Sequence, residues 1–335
     1  MSPPTTPPVT IVIVAHGRPE VLRQTLAGLA SCDQPESFRG TIVVENGPAC
    51  GIDAVIAEFQ DRLRIVHETV VSPKKTVALN HALHQLSTGW ALFIDDDVRV
   101  SPDWITVYAN AFADEPERYY FGGPTSVDYE QRPPKWLLPY LPESARGLEF
   151  PSSVTQIIYP RCFLGFNWAA RVEDLVQAGR FSEDFGPGTL FGGGDESFMQ
   201  MQLCRIGLRG RVLPAALVWH QIPTNRCSPA WSLKRSYGGG LTSGIEAAWY
   251  EQTKQRWCGS FRCHWRHLSK RLRSMPVLEV LRLSACGRFW ARRTVQWALG
   301  FNTGFRLAET TRLNPTTDSP SKPPVLPTQA SSVCP

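Results

Sequence analysis

The sequence predicts an α/β protein: a mostly parallel sheet with helices on both faces, followed by a basic helical extension. Three observations carry this. Over the first hundred residues, short apolar β-branched runs alternate with stretches of helical periodicity, which is the pattern of a parallel sheet covered on both sides. Three of those runs end in polar clusters: His16-Gly17-Arg18, Glu45-Asn46 and Asp95-Asp96-Asp97. From about Trp231 the character changes, and residues 254–293 carry eleven Lys or Arg against one acid, Glu279, with Trp257, Phe261, Trp265, Phe289 and Trp290 interleaved.

Taken in order, residues 9–14 form a continuous apolar run and read as a strand buried on both faces. The turn His16-Gly17-Arg18 leads to Pro19, suited to the first position of a helix whose Val21, Leu22, Leu26 and Leu29 share a face. Residues 41–44 are a second strand, closed by Glu45-Asn46-Gly47-Pro48. A helix is expected over 52–59, a short strand over 64–67, a helix over 76–86 and a strand over 90–94 that runs into the three aspartates. Residues 119–160, rich in Pro, Gly and aromatics without periodicity, read as a long loop. Beyond it, 162–168 is strand-like and 172–178 a short helix. Asp195 opens a helix with Phe198, Met199, Leu203 and Ile206 inward, and 211–219 is a strand ending at His220. This organisation divides the chain into a Pro-rich tail (1–8), a catalytic block (9–230, with halves 9–118 and 119–230), a helical basic extension (231–313) and a Pro/Ser/Thr-rich tail (314–335).

The net charge of +5 is modest. It suits phosphorylated ligands or acidic lipid headgroups, and no RNA-binding signature or zinc spacing points to nucleic acid. Nine cysteines, an odd number without framework spacing, read as reduced thiols of a cytoplasmic protein. The N-terminal residues lack the basic and apolar regions of a signal peptide, and no uninterrupted apolar run is long enough to span a bilayer. The basic, aromatic stretch 254–293 is an alternative source of peripheral attachment to an anionic membrane surface, against packing on the catalytic block.

Three consecutive carboxylates after a buried strand repel one another, and a hard divalent cation such as Mg²⁺ or Mn²⁺ relieves that repulsion. Parallel sheets bind ligands beyond the carboxyl ends of their strands, so the three polar clusters meet at one edge. A second acidic site, Gly192-Gly193-Gly194-Asp195-Glu196, joins flexible backbone to carboxylates at a helix start, where the macrodipole favours them.

On residues 9–18, 41–47, 74–83, 90–98, 164–169, 192–203 and 218–220, the chain resembles a family 2 glycosyltransferase with the GT-A fold. The resemblance implies a nucleotide-diphosphate-sugar donor, a Mn²⁺ or Mg²⁺ ion and a glycan or lipid-linked acceptor. It also implies that residues 9–118 bind the nucleotide and 119–230 the acceptor. By the same resemblance Ala15, Arg18, Glu45, Lys74 (or Lys75), Asp95 and Asp96 face the donor, and Asp97 and His220 face the metal. Asn167, between Phe166 and Trp168, lies near the donor sugar or the acceptor, and Arg226 near the diphosphate. Asp195, with Glu196 as the alternative, is the base that takes the acceptor proton in a single inverting displacement.

Two other readings compete. A sugar-phosphate nucleotidyltransferase also uses a parallel sheet and metal-binding acids, but it would carry a longer Gly-rich basic loop after the first strand than His16-Gly17-Arg18. A non-catalytic nucleotide-sugar binding protein would lack Asp97 or Asp195, and both are present.

Overall fold

The computed structural model describes residues 7–114, 119–189, 192–253 and 284–311. The expected C-terminal tail, residues 1–6 of the N-terminal tail and residues 254–283 of the basic run lie outside the described residues.

The first strand, β1 (Val9–Ala15), is followed by α1 (Pro19–Ala30), β2 (Phe38–Asn46), α2 (Asp53–Leu63), β3 (Ile65–Val70), α3 (Lys75–His84) and β4 (Trp90–Asp95). Strands β3, β2, β1 and β4 are neighbours in that order and all parallel. Along β1, Val9, Ile11 and Ile13 pack into one core with Leu22 and Leu26 of α1, while Val12 and Val14 pack into another with Ala78 and Leu79 of α3. Both faces of the strand are covered, so its alternation is invisible in the sequence and the run reads as uniformly apolar. The register sets Ala15 beside Glu45 and Val14 beside Asp95, which brings the three polar clusters to one level at the sheet edge.

Beyond β4 come β5 (Val98–Val100), α4 (Trp104–Asp114), β6 (Tyr119–Gly122), β7 (Thr125–Tyr129), the single-turn α5 (Glu143–Arg146), β8 (Gln156–Ile157), β9 (Trp168–Arg171) and α6 (Val172–Gln177). Helix α7 (Asp195–Arg205), β10 (Arg209–Val212) and β11 (Val218–Ile222) complete the sheets. The main sheet continues β4-β9-β6-β10-β8, with β9 antiparallel to both its neighbours, and a small sheet is ordered β5-β11-β7.

Three sequence expectations are corrected here. Residues 119–160 are not one loop but contain β6, β7, α5 and β8, elements of two to five residues that are too short to show a period. The strand expected over 162–168 begins only at Trp168; the apolar residues before it form a loop whose Phe163 and Phe166 are nonetheless buried. The strand expected over 211–219 is two strands in different sheets, so His220 lies inside β11 rather than after it.

Helices α8 (Pro229–Thr253) and α9 (Ala285–Thr311) form the extension. Gly240 and Gly244 of α8 oppose Gly300 and Gly304 of α9. A Cβ on Gly244 would sit 2.1 Å from the Phe301 carbonyl oxygen, and one on Gly304 2.0 Å from that of Leu241. Backbone therefore touches backbone, and because the contacts advance together along both helices, the two run in the same direction. Leu241 and Ile245 of α8 join Trp297, Phe301 and Phe305 of α9 in one cluster with Phe185, whose ring stacks on Phe198 of α7 at 4.4 Å. No helix among the described residues is long and apolar enough to cross a membrane.

Candidate active site

The acidic triplet leaves β4 and turns directly into β5. Thr25 of α1 pins that turn: its hydroxyl donates to the Asp96 carbonyl at 2.8 Å and accepts from the Val98 amide at 3.1 Å. Arg18, at the end of the β1 turn, extends its guanidinium across the triplet, donating to Asp96 Oδ1 and, at 2.9 Å, to Asp97 Oδ2. Asp96 is 3% exposed, and burial, only partly offset by Arg18, pushes its carboxyl up to about 6. Asp97 is equally enclosed, but His220 and Arg18 together outweigh burial and hold it well below the usual carboxylate range.

His220 reaches the site because β11 pairs antiparallel with β5, placing it opposite Val98. Its Nδ1 is 2.6 Å from the Ser144 carbonyl oxygen, which can only accept, so Nδ1 carries a proton. Nε2 then faces Asp97 Oδ1 at 3.2 Å, and Oδ1 is buried without a hydrogen-bond donor. Arg226, in the turn after β11, adds a guanidinium 3.6 Å from Asp97 Oδ2.

Asp95 is held by Lys75 at the start of α3, Nζ to Oδ1 at 2.5 Å. Burial would lower the lysine, but Asp95 and then Asp195 outweigh it and push it up, so the ammonium stays charged. Lys75 is thus an ion-pair partner of Asp95 that also feels the charge of Asp195. Of the two candidate lysines it is Lys75 that faces the acids, whereas Lys74 caps α3 and is half-buried.

The glycine-rich approach to α7 follows from crowding. Gly194 sits at φ +84°, and a Cβ there would strike the Thr242 methyl of α8 at 2.4 Å. Asp195 opens the helix and is 6% exposed, packed beside Gly186. Burial and the neighbouring negative charge of Asp195 push Glu196 up.

Ala15 ends β1 with its backbone at the sheet edge and is 1% exposed. Glu45 is buried and turned toward the loop after β2, where its Oε1 accepts from the Cys50 amide at 2.7 Å and the Cys50 thiol at 2.8 Å. Asn167 does not face the cleft as expected. It is fully buried, with Oδ1 accepting from Trp104 Nε1 and the Tyr108 hydroxyl and Nδ2 donating to the carbonyls of Pro124 and Ala216. It ties α4 and β9 to the segments before β7 and β11, so it positions the site from beneath. Sequence reasoning missed Glu246 of α8, which accepts from Tyr159 Oη at 2.7 Å and Ser197 Oγ at 3.2 Å. A lone acid about fifty residues from the other acids in sequence gives no signal for this.

A metal site can be tested on this geometry. Among the described residues no three carboxylate, imidazole or thiol groups converge as a complete ligand set. Asp97 Oδ1 and His220 Nε2 do face each other at 3.2 Å, and the imidazole is oriented by a backbone carbonyl, as metal-bound histidines are. Such a pair fits an ion that takes its remaining ligands from water and substrate phosphates.

A mixed sheet with an acidic edge, a small second sheet and a carboxylate-led helix make up a GT-A fold. The sequence profile of glycosyl transferase family 2 matches residues 10–173. The succinoglycan biosynthesis protein ExoM of Rhizobium meliloti (strain 1021) is 26% identical over 242 residues, covering 70% of this chain and 74% of that protein. The mannosyltransferase PcManGT from Pyrobaculum calidifontis, solved with GDP-Man and Mn²⁺, superposes with a TM-score of 0.51 at 18% identity, over 93% of this chain and 77% of that one. S. aureus TarS 1-349 in complex with UDP-GlcNAc gives a TM-score of 0.51 at 13% identity, over 91% and 92%. Residues 10–173 thus carry the sequence profile of glycosyltransferase family 2, and the chain is similar to members of that family.

Proposed function

We propose that the protein transfers a sugar from a nucleoside-diphosphate sugar to an acceptor hydroxyl with inversion, Asp195 acting as base. The observation that supports this best is Lys75, which pairs with Asp95 at the end of β4 and lies near enough to Asp195 to feel its charge, so the β4 and α7 carboxylates share one cation's surroundings. The acceptor oxygen attacks the anomeric carbon, the bond from that carbon to the diphosphate oxygen breaks, and Asp195 takes the hydroxyl proton. Glu196, pushed up by burial and by the charge of Asp195, holds its own proton more firmly than a free carboxyl. Asp97 and His220 would hold a Mn²⁺ or Mg²⁺ ion, which when bound neutralises charge on the leaving diphosphate. Arg226 stands beside the same carboxylate, positioned to meet a phosphate oxygen, while Glu45 shapes the nucleotide side by holding the turn after β2. The relatives solved with GDP-Man and UDP-GlcNAc make those two donors the first to test.

The test is a screen of nucleotide sugars for release of nucleoside diphosphate with and without Mn²⁺. Asp195→Asn should keep donor binding and lose at least about a hundredfold in transfer, the share of a general base. A harmless Asp195→Asn alongside a damaging Glu196→Gln would move the base by one residue. Formation of nucleoside triphosphate and sugar 1-phosphate on addition of pyrophosphate, in place of nucleoside diphosphate release, would favour a nucleotidyltransferase.

A further inference from the structure

A cavity of about 360 Å³ opens between the glycine-rich approach to α7, the loop before β9 and one face of α8. It falls in the size range of small-molecule pockets. Glu196 and Ser197 form one wall, so whatever occupies it abuts the residues that follow Asp195. Glu246, held by Ser197 Oγ at 3.2 Å and by Tyr159 Oη at 2.7 Å, continues the lining from α8.

Two features say that the space is kept open. Gly238 and Gly239 line it from the middle of α8, where glycine costs roughly 1 kcal/mol each relative to alanine. Gly240 next to them is required by the contact with α9, but a Cβ on Gly238 or Gly239 would meet nothing within 4 Å among the described residues. Helix packing therefore does not explain these two glycines, whereas room for a ligand does. The lining also has a definite chemistry. Among the described residues, three carboxylic acids, Glu143, Glu196 and Glu246, line it with one cation, Arg235, and the hydroxyls of Tyr159 and Ser243 stand among them. That balance opposes an anion and matches a neutral molecule bearing several hydroxyls. Burial pushes the Glu246 carboxyl up, which suits a group that both donates to and accepts from hydroxyls without demanding a cation.

We infer that this cavity is the acceptor site and takes a neutral glycosyl residue, with Glu246 and Tyr159 gripping its hydroxyls and Gly238 and Gly239 leaving room for its ring. The inference rests on the glycosyltransferase reading above for the word acceptor, but the binding it asserts is measurable without any donor. The experiment is saturation-transfer NMR on the full chain with the methyl glycosides of glucose, galactose, mannose and N-acetylglucosamine, and with glucose 6-phosphate as the anionic counterpart. At least one methyl glycoside is expected to bind, and to bind more tightly than the phosphate ester. Glu246→Ala should weaken it at least tenfold, with Glu246→Gln recovering most of the loss. Gly239→Leu, which fills the cavity from a position with no clash, should abolish binding while the melting temperature holds or rises. Absence of binding by every glycoside, tighter binding of glucose 6-phosphate, or unchanged affinity in Gly239→Leu would each overturn the inference. Failure of the donor screen with these results intact would count against the proposed reaction and leave the sugar site standing.

Discussion

Asn167→Ala separates a residue that touches substrate from one that holds the site together. The side chain is 0% exposed and makes four hydrogen bonds between 2.8 and 3.0 Å. Each is worth about 0.5–1.5 kcal/mol net, and a buried donor left unpaired costs about 1–3 kcal/mol. Truncation strands two donors, Trp104 Nε1 and the Tyr108 hydroxyl, in a region where both parent residues are fully buried. The expected loss is about 3–5 kcal/mol, a large fraction of a typical domain's 5–15 kcal/mol. Chemical denaturation followed by tryptophan fluorescence should show the midpoint falling with the slope unchanged. Donor affinity measured well below the new midpoint should stay near that of the parent. A loss under about 1 kcal/mol combined with a large loss of donor affinity would refute the assignment and return Asn167 to the cleft.

Three further outcomes follow from the same geometry. Asp97→Ala removes one of the two facing metal donors, so the Mn²⁺ concentration for half-maximal donor binding should rise at least about tenfold; an unchanged Mn²⁺ requirement would remove Asp97 from the metal site. Gly244→Val forces a side chain into the Phe301 carbonyl, and since neither helix backbone can yield cheaply, destabilisation should reach about 3 kcal/mol or more by denaturant melt; a neutral result would mean α8 and α9 do not pack at these glycines. Burial raises Glu246 in the folded state, so its stabilising share is complete below the ordinary glutamate value of about 4.3 and is lost as pH rises through its folded value. The melting-temperature gap between Glu246→Gln and the parent should therefore widen in the variant's favour from pH 4 to pH 8, and a pH-independent gap would refute the shift.

The sequence by itself determined the parallel half of the fold and the edge where the chemistry gathers. A strand buried on both faces must be apolar throughout, so β1, β2 and β4 stand out, and the polar residues just past them stand out in turn. Asp95, Asp96, Asp97 and Asp195 were legible because carboxylates beside buried strands or glycines are costly to keep without a purpose. What only the tertiary structure decided are relations between segments distant in the chain. Pairing of β11 with β5 brings His220 to Asp97, and position at the start of α3 selects Lys75 over its neighbour Lys74 as the partner of Asp95. Asn167 looked like a polar residue in a binding loop, and only the positions of Trp104, Tyr108, Pro124 and Ala216 show it as a buried brace. The glycines of α8 are indistinguishable in sequence, yet Gly240 is held by the backbone of α9 while Gly238 and Gly239 face open space. Local propensity reports which residues are apolar or flexible, but which neighbour fills the room a side chain leaves is settled by packing between elements that meet only in the folded chain.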